Sequence, residues 1–339
     1  MKNLIAFSLT LVLAGTANSH HSDAGLDMES LTTFEGTVTG FYWRNPHVYF
    51  TLETISETGA PVEWSMQLGS IPSASRMGWT ENTLSIGEQV VTRVHAAVNG
   101  RPCGLVDSVD METSVISGVN FYQPAVQTST TTLEGLWMTD HSSLPDGEFE
   151  FDAFILAHIE LTDKGRAALE AFDPLSAENP MAGCIGRPTP GMLLSSTLFP
   201  IEFVFPEDDI ILIQTEYWDE VRIVFMDGRG HPDISERFQT GHSIGHWEGD
   251  TLVVDTTNFT DHRAPYQIGV PSGAQKHVVE RYRLIDNGER IALEFVVEDP
   301  EYMTSPIRHA RELIYSPHVV PEPYDCDPEA ARMFLRTAD

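Results

Sequence analysis

The side chains best placed to do chemistry are histidines and carboxylates in the C-terminal half of the chain. Gly241-His242-Ser243-Ile244-Gly245-His246-Trp247-Glu248 is followed by an apolar run, Leu252-Val253-Val254, that leads to Asp255. His246 and Glu248 are two apart, which on a strand places them on one face about 6–7 Å from each other, a spacing that can share a metal ion. His242 and His246 are four apart, about 13 Å along a strand, too far to reach one ion. Further ligands would have to come from elsewhere, and His231 and His262 flank the segment. The plain alternative is that His246 and Glu248 are polar residues on an outward or lumen-facing side. Gly241–Gly245 also spells G-x-S-x-G, but a nucleophile elbow requires strand, turn and helix in succession. The residues after it, Trp247 to Val254, read as a β-hairpin, so Ser243 is not a candidate nucleophile.

A second pair is Asp255 and His277. The strand that opens with His277 carries His277 and Arg281 on one face, and Val278, Glu280 and Tyr282 on the other. If His277 points into a barrel lumen near Asp255, the two can act as general base and orienter; otherwise they form a structural hydrogen-bonded pair. Carboxylates are too abundant for any other acid–base pair to stand out. Trp137, Tyr217, Trp218 and Trp247 are candidate ligand-binding aromatics, with core packing as the competing role.

A third constellation lies at the start. Met1–Ser19 has the pattern of a secretory signal: Lys2, an apolar run from Leu4 to Ala14, and Ala17 and Ser19 at the positions that precede cleavage. Cleavage there leaves His20-His21-Ser22 as the new terminus. An α-amino group beside an imidazole chelates copper-type ions, and His47 or His95 could complete a T-shaped site. Cleavage after Asn18 would instead leave Ser19-His20-His21, which places histidine third, another copper-chelating terminus. The competing expectation is a solvated terminus. The apolar core of the signal is too short to span a bilayer, and no later window is long and apolar enough to do so. The expected location is therefore periplasmic or secreted, with no membrane span.

Composition narrows the partners. Asp and Glu outnumber Lys and Arg 50 to 20, giving a formal charge of −30, and Lys2, Lys164 and Lys276 are the only lysines. Such a charge repels phosphate backbones and anionic lipids, so nucleic acid is not an expected partner; a small molecule is. In an oxidising compartment Cys184 and Cys326 can pair, leaving Cys103 as a buried thiol, although connectivity is not fixed by sequence.

These residues need elements to hold them. Residues 20–113 follow a β grammar: Thr33–Trp43, His47–Thr54 and Val62–Leu68 alternate apolar and polar side chains, Ser70–Gly78 suits a short helix, and strands follow at Gln89–Val98 and Gly104–Met111. Three strands, a helix and two strands is the order of an OB-like Greek-key barrel. Ser114–Thr132 reads as a polar linker. From residue 133 to 339 a helix is expected at Thr162–Phe172, capped by Thr162. Strands are expected at Ile201–Phe205, Ile210–Glu216, Glu220–Met226, Phe238–Trp247, Thr251–Thr257, His277–Ile285, Arg290–Glu298 and Arg308–Tyr315. Asp227-Gly228, Glu248-Gly249-Asp250 and Asn287-Gly288 are expected hairpin turns. Eight or so antiparallel strands suggest a lipocalin-like meander closed into a barrel or curved sheet, large enough for one small ligand.

Several motifs together, His20-His21-Ser22, Trp43-Arg44-Asn45-Pro46-His47, Gly69-Ser70 through Met77-Gly78-Trp79, Gly241–Asp255 and Val297-Glu298-Asp299-Pro300, resemble exported bacterial proteins of the domain of unknown function 6152 with its associated β-rich C-terminal region. The resemblance implies export and two β domains, and no catalytic residue. The expectation is a mostly β protein that binds a small, partly apolar ligand. The alternatives are an enzyme on a small hydrophobic substrate and an assembly partner of another exported protein.

Overall fold

A computed structural model describes residues 25–112, 114–118, 124–145 and 151–336. In the N-terminal region β1 (Thr32–Tyr42), β2 (Tyr49–Ile55) and β3 (Pro61–Gln67) form an antiparallel meander. β3 then pairs in parallel with β5 (Cys103–Asp110), β5 with β4 (Gln89–Ala96), and β4 with β1. That circuit closes the five-strand OB-like barrel expected from the element order. Helix α1 (Ile71–Arg76) joins β3 to β4. Ser70 caps it, its Oγ accepting from the Ser73 amide at 3.3 Å, and Pro72 sits in the first turn. The alternating apolar residues, among them Phe50, Leu52, Met66 and Val94, fill the barrel together with Trp79 from the loop after α1. The first residues of the segment expected to be linker form β6 (Val115–Ser117), which pairs with β5.

The C-terminal region is a closed barrel of nine strands. These are β7 (Gly135–Thr139), β8 (Ile201–Glu207), β9 (Ile210–Thr215), β10 (Val221–Phe225), β11 (His242–Glu248), β12 (Thr251–Thr257), β13 (His277–Ile285), β14 (Arg290–Glu298) and β15 (Ile307–Tyr315). β15 returns to β7, and β9 to β10. Two differences from the sequence reading matter. First, β7 supplies a ninth strand from a stretch too short to show periodicity. Second, β10 and β11 pair in parallel, Val224 opposite Ser243, so Asp227-Gly228 does not make a hairpin. A parallel pair cannot be joined by a tight turn; residues 226–241 therefore cross the outside of the barrel, and β11 begins at His242 rather than at Phe238.

Helix α2 (Phe151–His158) was not expected. Its Phe154 ring packs 4.3 Å from His309 and 6.5 Å from Phe295. Helix α3 (Asp163–Glu170) carries the expected Thr162 cap, whose Oγ1 accepts from the Gly165 amide at 3.1 Å. On β12 Leu252, Val254 and Thr256 are buried, Val253 between them is buried too, and Asp255 and Thr257 are half-buried on the outer side. Trp137, Phe203, Leu252, Tyr282 and Phe295 fill the interior.

Cys184 and Cys326 form the expected disulfide, and Cys103 is buried. The disulfide holds the C-terminal tail where it meets the small barrel. Asn45 of the Trp43–His47 motif accepts from the Ile71 amide through Oδ1 at 2.7 Å, donates to the Tyr324 carbonyl, and accepts from the Asp327 amide at 2.9 Å through its own carbonyl. Arg76 completes the junction with a two-pronged bond to Glu216 at 2.6 and 2.7 Å.

Candidate functional site

β12 and β13 run antiparallel with Asp255 opposite Val279. This register carries the Asp255 and His277 side chains to the same outer patch, and His277 Nε2 lies 3.0 Å from Asp255 Oδ1. The predicted pair therefore forms, but outside the barrel: the lumen-facing positions of β13 belong to Val278, Glu280 and Tyr282. The condition that His277 point into the lumen is not met, because the two-residue alternation sends Glu280 in.

Asp255 is the centre of a longer chain. His231, on the crossover, brings Nε2 to 3.0 Å from the same Asp255 oxygen, and its Nδ1 lies 3.0 Å from Nδ1 of His242. On the far side His277 Nδ1 is 3.6 Å from a Glu298 oxygen. The bonds assign the tautomers. His231 donates through Nε2 to the carboxylate, so in its neutral form Nδ1 accepts, and His242 donates from Nδ1. The lone pair of His242 Nε2 is then left to act as a base. Burial above all, with the nearby Arg229 charge, holds the His242 imidazole below its ordinary basicity, which favours this neutral form. The Asp255 bond holds His277 above its ordinary basicity against the effect of burial. Burial opposes ionisation of Asp255, yet its bonds to His277 and His231 prevail and keep the carboxyl below its usual range.

His242 lies at one end of an apolar groove of about 390 Å³, lined by Val221, Ile223, Phe225 and Phe238 together with Arg229 and Glu236. That size suits a small ligand. The His242 ring stacks on Phe225 at 5.2 Å and 24°, and Phe238 flanks it at 6.0 Å. Arg229 covers the other part of Phe225, its guanidinium 3.9 Å from the ring centroid and tied back by Asp227. Gly241 has φ +76°, and a Cβ there would meet Thr256 Cγ2 at 2.6 Å and Phe259 Cε1 at 2.8 Å. Only glycine lets the chain enter β11 at this angle.

The other predicted residues lie elsewhere. His246 and Glu248 do come together, Nε2 to Oε1 at 3.2 Å, at the exposed end of the β11–β12 hairpin, where Arg281 also binds Glu248 at 2.6 Å. His231 and His262 do not join them: His231 belongs to the relay, and His262 bonds to the Gly186 carbonyl at 3.1 Å. Among the described residues no group of three or more His, Cys, Asp or Glu is arranged to hold a metal ion. His47 precedes β2, its ring 6.4 Å from that of Tyr49. His20 and His21 lie outside the described residues. Trp137 is fully buried in the barrel core, donating to the Leu133 carbonyl at 2.8 Å. Tyr217 and Trp218 pack with Phe199 and Tyr324 beside the disulfide. Trp247 faces outward and is 47% exposed.

Sequence reasoning weighed His242 and His231 only as metal ligands and missed their relay. His231 sits in a Gly/Pro-rich stretch with no periodicity, and only the parallel pairing of β10 with β11 folds that stretch back over Asp255.

No curated protein matches the chain. Residues 9–107 match the family model described as Family of unknown function (DUF6152), and the nine-strand barrel that carries the groove and relay lies beyond that match.

Proposed function

We propose that the C-terminal barrel binds a small, partly apolar molecule in the groove beneath the 226–241 crossover, with His242 accepting a hydrogen bond from the polar end of that molecule. The observation that carries this reading is the meeting of an apolar groove with a histidine whose one nitrogen is fixed by a relay and whose other nitrogen is a base. A phenol-like shape, one flat apolar face and one acidic hydroxyl, fits that combination. Isothermal titration calorimetry with 4-nitrophenol tests it. Binding that weakens at least about tenfold in His242→Gln, equivalent to about 1.4 kcal/mol, supports the reading, and equal or no binding in both proteins refutes it.

The relay favours a second reading, an enzyme that uses His242 as general base on the bound molecule. His277→Ala separates the two: an enzyme loses turnover while keeping ligand affinity, whereas a binder changes affinity or nothing. Export belongs to the same proposal. It rests on the Met1–Ser19 pattern and fits the Cys184–Cys326 disulfide, which suits an oxidising compartment. A copper-type ion at His20 and His21, with His47 as third ligand, is the accompanying metal proposal. Native mass spectrometry of protein from the export compartment checks both. A mass starting at His20 with a copper-sized increment supports them, and an apo mass starting at His20 removes the metal.

A further inference from the structure

Lys276 lies just before β13, away from the groove and the relay. It is 1% exposed, and no described residue accepts a hydrogen bond from its Nζ. Two rings wall it, Phe259 with its centroid 4.3 Å from Nζ and Tyr266 with its centroid at 5.3 Å. The chain has only three lysines, and the other described one, Lys164, is 57% exposed at its side chain and paired with Glu301. A sequence that nearly avoids lysine thus buries one among aromatics.

Other buried polar atoms also bond to no described residue. Both carboxyl oxygens of Glu220, Oδ1 of Asp299, the hydroxyl of Tyr266 and Oγ of Ser272 are buried without partners. Asp299 uses its other oxygen to accept from the Gly273 amide at 2.8 Å. Asp299 and Glu220 are the two acids whose charges reach the lysine. Native structures satisfy nearly all such groups, so a cluster of exceptions drawn from separate segments marks a place built for something other than packing. His262 is fixed as a neutral neighbour, donating to the Gly186 carbonyl through Nε2 and accepting from the Ala264 amide at Nδ1.

We propose that Lys276 is the amine of a covalent site for small aldehydes, in which Nζ, walled by Phe259 and Tyr266, forms a Schiff base with Glu220 and Asp299 as proton carriers. Desolvation in an apolar setting is what activates a lysine for this chemistry. Here burial lowers its basicity to about 7, against the opposing pull of Asp299. Burial likewise keeps the Glu220 carboxyl protonated, raising it to about 8. The Nζ lone pair adds to the carbonyl carbon while the carbonyl oxygen takes a proton from the Glu220 carboxyl. The nitrogen then releases one proton to the Glu220 carboxylate, which passes it to the hydroxyl; water leaves as the C=N bond forms, and the iminium nitrogen returns its remaining proton to Glu220, restoring the carboxyl. Aldehyde and amine are thus converted to imine and water, with no oxidant or reductant consumed. Access requires residues 258–276 to open, a segment outside the strand ladder that carries isolated bridges such as His262 with Ser272.

The test is reductive trapping on the intact wild-type protein. Propanal and sodium cyanoborohydride are added at neutral pH, and the adducts are located by peptide mass mapping. The proposal expects a propyl adduct on Lys276 that forms at least about tenfold faster than on Lys164, because far more of Lys276 is free amine. Glu220→Gln should slow the Lys276 adduct and leave the Lys164 rate unchanged. Modification of Lys164 with Lys276 untouched, over times in which amides of 258–276 exchange with solvent, overturns the proposal. Lys276→Met should abolish the fast adduct; if that variant does not fold, the wild-type rates decide alone.

Discussion

The groove rests on an ion pair buried inside the barrel. Arg222 lies on β10 between Val221 and Ile223, the outward residues that line the groove, and points into the barrel. Its guanidinium meets Glu280 of β13 at 2.5 and 2.9 Å, and both side chains have no exposure. Tyr282 donates to the same carboxylate at 2.9 Å, and Thr256 accepts from Arg222 at 3.3 Å. Glu280→Gln keeps the volume and removes the counter-charge. Opposite charges about 4 Å apart at an effective dielectric of about 20 attract by about 4 kcal/mol, and breaking a buried pair from one side costs about 3–5 kcal/mol. For a barrel of this size that corresponds to a fall in melting temperature of about 10 °C. The double variant Arg222→Met/Glu280→Gln removes the stranded charge and should recover most of the loss, giving a coupling of at least about 2 kcal/mol. Differential scanning calorimetry of the four proteins measures the cycle. A loss below about 1 kcal/mol in Glu280→Gln, or no recovery in the double variant, refutes the claim that the pair is desolvated and braces β10.

Asp255→Asn should lower the basicity of His277. A histidine held above its ordinary value of 6.5 stabilises the fold fully below that value and loses the contribution as pH rises through its folded pKa. The variant should therefore be most destabilised near about pH 5.5 and least near about pH 8.5, read from urea midpoints. Glu220 has the opposite sense of an ordinary carboxylate: raised from 4.5 to about 8, it favours the fold at low pH and loses that contribution as pH rises from 4.5 to 8. Lys276, lowered from 10.5 to about 7, makes stability rise between 7 and 10.5. Thermal midpoints of Glu220→Gln should accordingly fall less between pH 4.5 and 8 than those of wild type. Asn45→Ala leaves the Ile71 amide and the Tyr324 carbonyl without their bonds and should cost about 2 kcal/mol, with faster proteolysis of the C-terminal tail as the readout.

The elements that were legible are those with long alternation. β12, β13 and β14 fall where Thr251–Thr257, His277–Ile285 and Arg290–Glu298 place them, because each buries every second residue over seven or more positions. Thr162 announced its helix by capping chemistry. The crossover was not legible, because Asp227-Gly228 has the residues of a hairpin turn and only the partner strand decides otherwise. The site divides in the same way. Asp255 and His277 were chosen for residue type and a neighbouring strand, and they do meet; the side of the barrel they occupy depends on which alternate residues the core accepts. Glu220 and Lys276 carry no pattern at all, since their character comes from burial by residues distant in sequence.

The central claim is that the relay holds His242 as a neutral base at the end of the groove. Long-range nitrogen–proton spectra of ¹⁵N-histidine-labelled protein read that state directly, ring by ring. Near neutral pH His242 should carry its proton on Nδ1, with Nε2 unprotonated, and 4-nitrophenol should shift the His242 Nε2 resonance while leaving His246 unmoved. A His242 that is protonated on Nε2 in the free protein, or whose Nε2 is indifferent to saturating 4-nitrophenol, contradicts it.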